Sequence, residues 1–406
     1  MTHDQEVRKP AVPAGEQAPA ARGRPAMVAT VVFLLFTVML GGALPTPLYG
    51  LYSARLGLTP VLVTVVFALY AVGVVAALLL GGVSDRIGRR AVIGPAMLVA
   101  AASCAVFAVF PTLPGLLAGR LLSGISVGLA TGASTAYLRE LHPRPATAAL
   151  LATVTSMLGL AGGPLLGGVL AEFAPRPLLT PYLVMAALLL SGLVLFRLPE
   201  TVIRTQGPFR VQRLAVPPQA RGVFTAVAVS VFAGFSVLGL LAGLTGTFLA
   251  QGLHRHSPLL TGLVAGCAFA AAGLAQVVSA RAEAVRATVV GMSMIPVGLA
   301  LIIAALPARS LTLFLAGAAL GGGGAGAAFR SGLAALTARV PAARTGEVAS
   351  SYFVAAYLGL TLPVIGVAVL LSWFSLVTAA GVFAGVVTLL ALAGIRSALT
   401  LRRKGD

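Results

Sequence analysis

Twelve apolar runs of helix length, separated by short polar breaks, leave this chain few ways to fold. A bilayer crossing needs about 20 predominantly apolar residues at about 1.5 Å rise each. Runs of that kind are read at 27–49, 59–83, 90–110, 113–138, 146–172, 179–198, 221–250, 257–279, 285–306, 309–335, 345–371 and 373–396. In lipid a backbone must satisfy its own polar groups, so such runs predict helices. Composition agrees: 58% of the 406 residues are hydrophobic and 9% are charged, with mean hydropathy +1.01, whereas a soluble chain carries roughly 25% charged residues. The expected fold is an all-α membrane protein, with two six-helix bundles at 27–198 and 221–396. A cytoplasmic linker, 199–220, would join them; it holds Arg204, Arg210, Arg213 and the Pro217-Pro218 pair and has no apolar periodicity. Residues 1–26, rich in Pro, Ala, Gly and charge, read as a disordered tail rather than a signal peptide. Residues 397–406 form a second short tail.

The formal net charge is +18, which on a soluble chain would suggest nucleic acid. Location excludes that. If both termini are cytoplasmic, all but five of the 28 basic residues fall on the cytoplasmic side; Arg55, Arg176, Arg255 and Arg309 lie outside and Arg120 lies within a helix. That is the positive-inside bias, and it predicts a multi-pass protein of the cell membrane with cytoplasmic ends. Twenty-six arginines against two lysines point to a GC-rich bacterial source. Cys104 and Cys267 fall in apolar runs of opposite halves, so no disulfide framework is implied, and no metal-ligand cluster is read. The chain also lacks a paired-carboxylate site, a Ser-His-Asp set and a phosphate-binding glycine loop, so an enzyme is not expected.

The halves resemble one another. LLAGRLLSG at 116–124 aligns with FLAGAALGG at 314–322, Pro143 with Pro341, LGL at 158–160 with 358–360, and VSDR at 83–86 with VSAR at 278–281. The common register of about 200 residues argues for a parallel duplication, an arrangement that puts a transporter's substrate site at the repeat interface.

Three stretches carry more than hydrophobicity. Gly81-Gly82-Val83-Ser84-Asp85-Arg86-Ile87-Gly88-Arg89-Arg90 follows the second run. Gly81 permits close helix contact and Gly88 supplies a tight turn; Asp85 among arginines can stabilise the positive end of a helix, by about 0.3–1 kcal/mol. Leu158–Leu170, LGLAGGPLLGGVL, with Gly159, Gly163, Pro164, Gly167 and Gly168, puts Gly159 and Gly163 on one face, one turn apart, with a proline-softened point directly after. Such glycines let two membrane helices approach closely. In Leu116-x3-Arg120-x2-Ser123-Gly124 an arginine lies inside an apolar run, at a cost of about 2.5–3.5 kcal/mol on insertion scales.

These stretches resemble motifs A, C and B of the major facilitator superfamily, in their proper places. The resemblance implies a secondary transporter with two bundles rocking about a central site. It further implies that Asp85 latches onto the helix beginning near Thr345-Gly346-Glu347 and holds the outward-facing state, and that Gly159–Gly168 marks an exporter; the alternative for these glycines is packing alone. Arg120 would sense a nearby protonation or hold an anionic part of the substrate, the alternative being a snorkelling or carbonyl-bonded structural arginine. The equivalents of Asp85 and Arg120 in the second half are Ala280 and Ala318. Leu198-Pro199-Glu200-Thr201 is similar to the sequence closing the first half of many members. The family's pathway helices suggest Phe36, Thr37, Arg120, Ser123, Phe232, Phe235 and Ser236 as cavity lining.

All ten acids lie in tails, loops or helix ends, with none mid-membrane. The substrate is therefore expected to be a small neutral, lipophilic or anionic organic compound, and the resemblance to exporters implies its efflux, driven by the proton gradient through antiport with no cofactor. Coupling would use Asp85, Glu172 or a proton carried by the substrate. An importer or uniporter of a sugar-like or anionic metabolite, or a membrane sensor on the same scaffold, are the alternatives. The expected partners are the lipid bilayer and a small-molecule substrate, with the chain monomeric.

Overall fold

The computed structural model describes residues 24–79, 84–194, 200, 214–341 and 344–403. Twelve helices make up its bulk: α1 Arg24–Ala43, α2 Pro60–Leu79, α3 Arg90–Val109, α4 Leu113–Leu141, α5 Pro145–Phe173, α6 Thr180–Val194, α7 Arg221–Gly243, α8 Pro258–Val278, α9 Ala284–Ala308, α10 Leu311–Thr337, α11 Thr345–Leu370 and α12 Leu376–Arg403. Eleven membrane-length apolar helices are found among the described residues. The exception, α6, has 15 residues, and 195–199 beyond it lie outside the description, as do most of the expected linker and the tail 1–23.

Three boundaries differ from expectation, each for a local reason. The first run breaks after Ala43, where Pro45 and Pro47 remove backbone donors; a 3-10 turn Thr46–Leu48 and a short helix Tyr49–Leu56 follow. The seventh ends at Gly243, and Phe248–Gly252 continues as a π-helical turn. The last helix starts later than 373, because the Ser375 hydroxyl accepts the Thr378 N–H at 3.2 Å, and it runs on to Arg403, so most of the expected tail 397–406 is helical.

Packing reproduces the duplication. In the first half α1 packs on α4, α5 and α6, α2 on α4, and α3 on α4 and α6; six helices on, α7 packs on α10, α11 and α12, α8 on α10, and α9 on α10 and α12. Two helix pairs make the main joints between the halves, α2 with α11 and α5 with α8, and advancing each number by six exchanges these pairs. This is a pseudo-twofold molecule of two bundles. Glycine makes the approaches close: side-chain carbons added at Gly124 of α4 or Gly322 of α10 would collide with the backbones of Tyr70 and Ala268.

Candidate functional site

Charge gathers in three places, each held by elements remote in sequence. The first lies at the end of the molecule bearing 84–90. Ser84–Ile87 forms a one-turn helix, and Gly88 reverses the chain at φ +109°, where a side chain is strained. Arg89 then points inward, buried, with Nε and Nη2 donating to Glu140 Oε1 of α4 at 3.0 and 2.8 Å and Nη1 donating to the Ser84 hydroxyl at 2.8 Å. The carboxylate of Glu200 caps the start of α3, accepting the N–H groups of Arg89 and Arg90 at 2.8 and 3.1 Å. It sits so close to Gly88 that any Cβ there would overlap it. Gly81 falls outside the described residues, and of Asp85 only the backbone is described, so the expected latch onto α11 is not addressed.

The second place is Arg120, 1% exposed in α4. Its Nη1 donates to the carbonyl of Gly42 in α1 at 2.8 Å. The guanidinium carbon stands 5.4, 5.7 and 5.1 Å from the ring centroids of Tyr49, Phe67 and Tyr70. Each ring face offers about 0.5–1 kcal/mol to a cation, rising towards ~2 where water is excluded. No carboxylate pairs with Arg120 among the described residues, and its Nε and the Tyr49 hydroxyl have no hydrogen-bond partner. Two cage rings reach the other bundle: Tyr70 meets Tyr357 of α11 edge to face at 6.4 Å, and Phe67 abuts Gly243 of α7.

The third place is the opposite end of α5. Glu172 accepts from the Ser257 hydroxyl at 2.9 Å and from the Leu259 N–H at 3.3 Å. Below it, the glycines of α5 divide over two faces. Gly159, Gly163 and Gly167 press on the α1 segment Phe36–Leu44, whereas Gly168 meets Pro258 and the carbonyl of Pro164 meets Gly262 of α8. Gly159 and Gly163 thus share the face of a joint within the first bundle, while Pro164 and Gly168 belong to a joint between bundles.

The expected cavity lining fares differently. Thr37, Ser123 and Ser236 are buried, and their hydroxyls donate to their own helices, to Phe33, Arg120 and Phe232 at 2.8, 2.9 and 2.7 Å. Ser123 borders a small void among α1, α3, α4 and α6, beside Ser103, Cys104, Ser126 and Tyr182. Half-buried Phe36 lies near Gly162 of α5. Phe235 packs on Phe329 of α10 with centroids 5.4 Å apart, while the Phe232 backbone abuts Gly359 of α11. These contacts place the seven residues in two groups, one in each bundle. Sequence reading missed the rings around Arg120, because residues 49, 67 and 70 carry no motif, and Glu140 as the partner of Arg89.

A family model described as Major Facilitator Superfamily matches residues 31–254, more than half of the chain. The chain belongs to the Major Facilitator Superfamily. That family is made up of transporters rather than enzymes. Among curated proteins it is 34% identical over 134 residues to the multidrug resistance protein MdtM of Salmonella typhimurium and 36% identical over 132 residues to the class C tetracycline resistance protein of Escherichia coli. Either alignment spans 32% of this chain and 32% of the relative. Among solved structures it superposes on the POT family transporter PepTSo with TM-score 0.76 and 14% identity, covering 96% of this chain and 99% of that one. The nucleoside transporter NupG gives 0.71 and 15%, covering 91% and 99%. At such identities these two speak for the fold alone.

Proposed function

We propose that this superfamily member exports a small neutral, lipophilic or anionic organic compound by proton antiport with alternating access, its termini in the cytoplasm. One observation carries the substrate class: the charge buried in the first bundle, behind rings that touch the second, is Arg120, a cation that no carboxylate balances among the described residues. A permanently cationic guest would be repelled there and find no counter-ion in the membrane, because the acids of the described helices stand at helix ends. Export is supported by the names of the two curated relatives, both resistance proteins of bacteria, and by the proline and glycines of α5 at the α5–α8 joint. The proton gradient is an adequate source, since one charge crossing 100 mV is worth about 2.3 kcal/mol, roughly fifty-fold in concentration.

Transport into inverted vesicles tests the reading. Uptake of neutral or anionic compounds should follow acidification of the vesicle interior, and Asp85→Asn protein should lose it. Uptake indifferent to the proton gradient would remove antiport. Extrusion of cationic dyes alone would remove the charge argument.

A further inference from the structure

We infer that Glu172 is the latch of the outer gate: it clips the outer end of α5 to the first turn of α8 and holds the outward-closed state. The claim rests on the alternating-access reading and on the orientation proposed above. The first turn of any helix leaves amide donors without partners. In α8 each has an assigned fate. Pro258 has no N–H; the Leu260 N–H goes to the Ser257 hydroxyl at 3.2 Å, and the Thr261 N–H to the Ser257 carbonyl at 3.1 Å. That leaves Leu259, whose N–H is taken by Glu172 from the other bundle. Ser257 spends its own proton on the same carboxylate, so Glu172 and Ser257 together make one cap, half of it belonging to each bundle. The negative charge also lies at the positive end of the α8 dipole, where an acid is favoured.

The surroundings make this a switch rather than a fixed cap. Glu172 is exposed; Arg176 follows it in sequence and His254, Arg255 and His256 precede its partner Ser257, and none forms an ion pair with it among the described residues. Water can therefore replace it on Leu259 at modest cost. Directly beneath, the backbones of α5 and α8 touch at Gly168 with Pro258 and at Pro164 with Gly262. Outward opening must part these backbones, and the Glu172 link is the polar contact that parts with them.

The test labels the full chain, with Cys104→Ala and Cys267→Ala, at Arg176→Cys and Arg255→Cys, and reads the distance between spin labels in lipid nanodiscs. The open-to-closed ratio should rise about five-fold in Glu172→Gln, the scale of losing one charged helix cap. Ser257→Ala should move it in the same direction and add little when combined with Glu172→Gln. An unchanged ratio in Glu172→Gln while an open population is present overturns the latch and leaves alternating access standing. A single closed population in every variant, with or without a transported compound, would sink both. If Glu172→Gln lowers the thermal midpoint, Ser257→Ala decides the matter from the α8 side.

Discussion

Helices α4 and α10 occupy equivalent places in the two bundles, yet they are secured differently. In α10 bare backbone does the work: Gly317, Gly322, Gly324 and Gly326 lie against the backbones of Gly298, Ala268, Gly291 and Ala272, on α8 and α9. In α4 glycines also bring α2 close, through Gly124 on Tyr70 and Gly128 on Val74, but a guanidinium is set among them. The equivalent position in α10 is Ala318, fully buried and apolar. The architecture thus builds the same place with no charge. Arg120, at an insertion cost of about 2.5–3.5 kcal/mol, is an addition to the scaffold that the second bundle does without.

The comparison breaks first at Gly326. A side chain there meets the Ala272 carbonyl and Cα, atoms that have nowhere to move. Gly326→Val should cost about 3 kcal/mol or more and yield aggregated protein on size exclusion. Gly381→Val, at an exposed position with open space around it, should elute and melt as the parent does. A well-folded Gly326→Val protein would mean that α10 is not clamped by backbone contact.

Arg120→Met sharpens the contrast, because it gives α4 the apolar character of α10. Replacing a buried charge with an apolar group of similar size is often neutral or stabilising, so the thermal midpoint should hold or rise. Proton-driven uptake in inverted vesicles should fall at least ten-fold, because the unpaired cation is gone; that figure is about 1.4 kcal/mol of lost stabilisation. A protein that loses stability but keeps its transport would make Arg120 a structural residue. At the end bearing 84–90, Glu140→Gln leaves buried Arg89 with a weaker acceptor. With Glu140 31% exposed, solvent screening limits the loss to about 1 kcal/mol, read as a lower thermal midpoint at unchanged helix content.

How much of this the residues announced follows from where each partner lies. The helices were legible because hydrophobic length is local, and the turn at Gly88 because one residue type bears it. The α5 glycines announced close packing, but whether a glycine faces α1 or α8 depends on rotation about the helix axis, which GxxxG spacing leaves open. The Arg120 cage was hidden because its rings arrive from α2 and from a helix that exists only because Pro45 and Pro47 end α1 early. Thr37, Ser123 and Ser236 looked like binding groups, yet in a helix a hydroxyl readily turns back to a carbonyl three or four residues before it, and all three have done so. Glu200 was visible in Leu-Pro-Glu-Thr, but its partners lie 110 and 111 residues away.

The smallest effect tests that last pairing. Gly88→Ala should cost about 1–2 kcal/mol from two sources, a strained φ of +109° and overlap with the Glu200 carboxylate. Glu200→Ala alone should cost about 1 kcal/mol by uncapping α3. In the Glu200→Ala background the overlap is gone and only the backbone strain is left, so Gly88→Ala should cost about 0.5–1 kcal/mol less than it does in the parent. Strict additivity would mean that the glycine serves the turn alone. A coupling of the stated sign would mean that the turn and the end of the first bundle are fitted to each other, a link the second half cannot copy, since Glu283 stands at the place of Gly88.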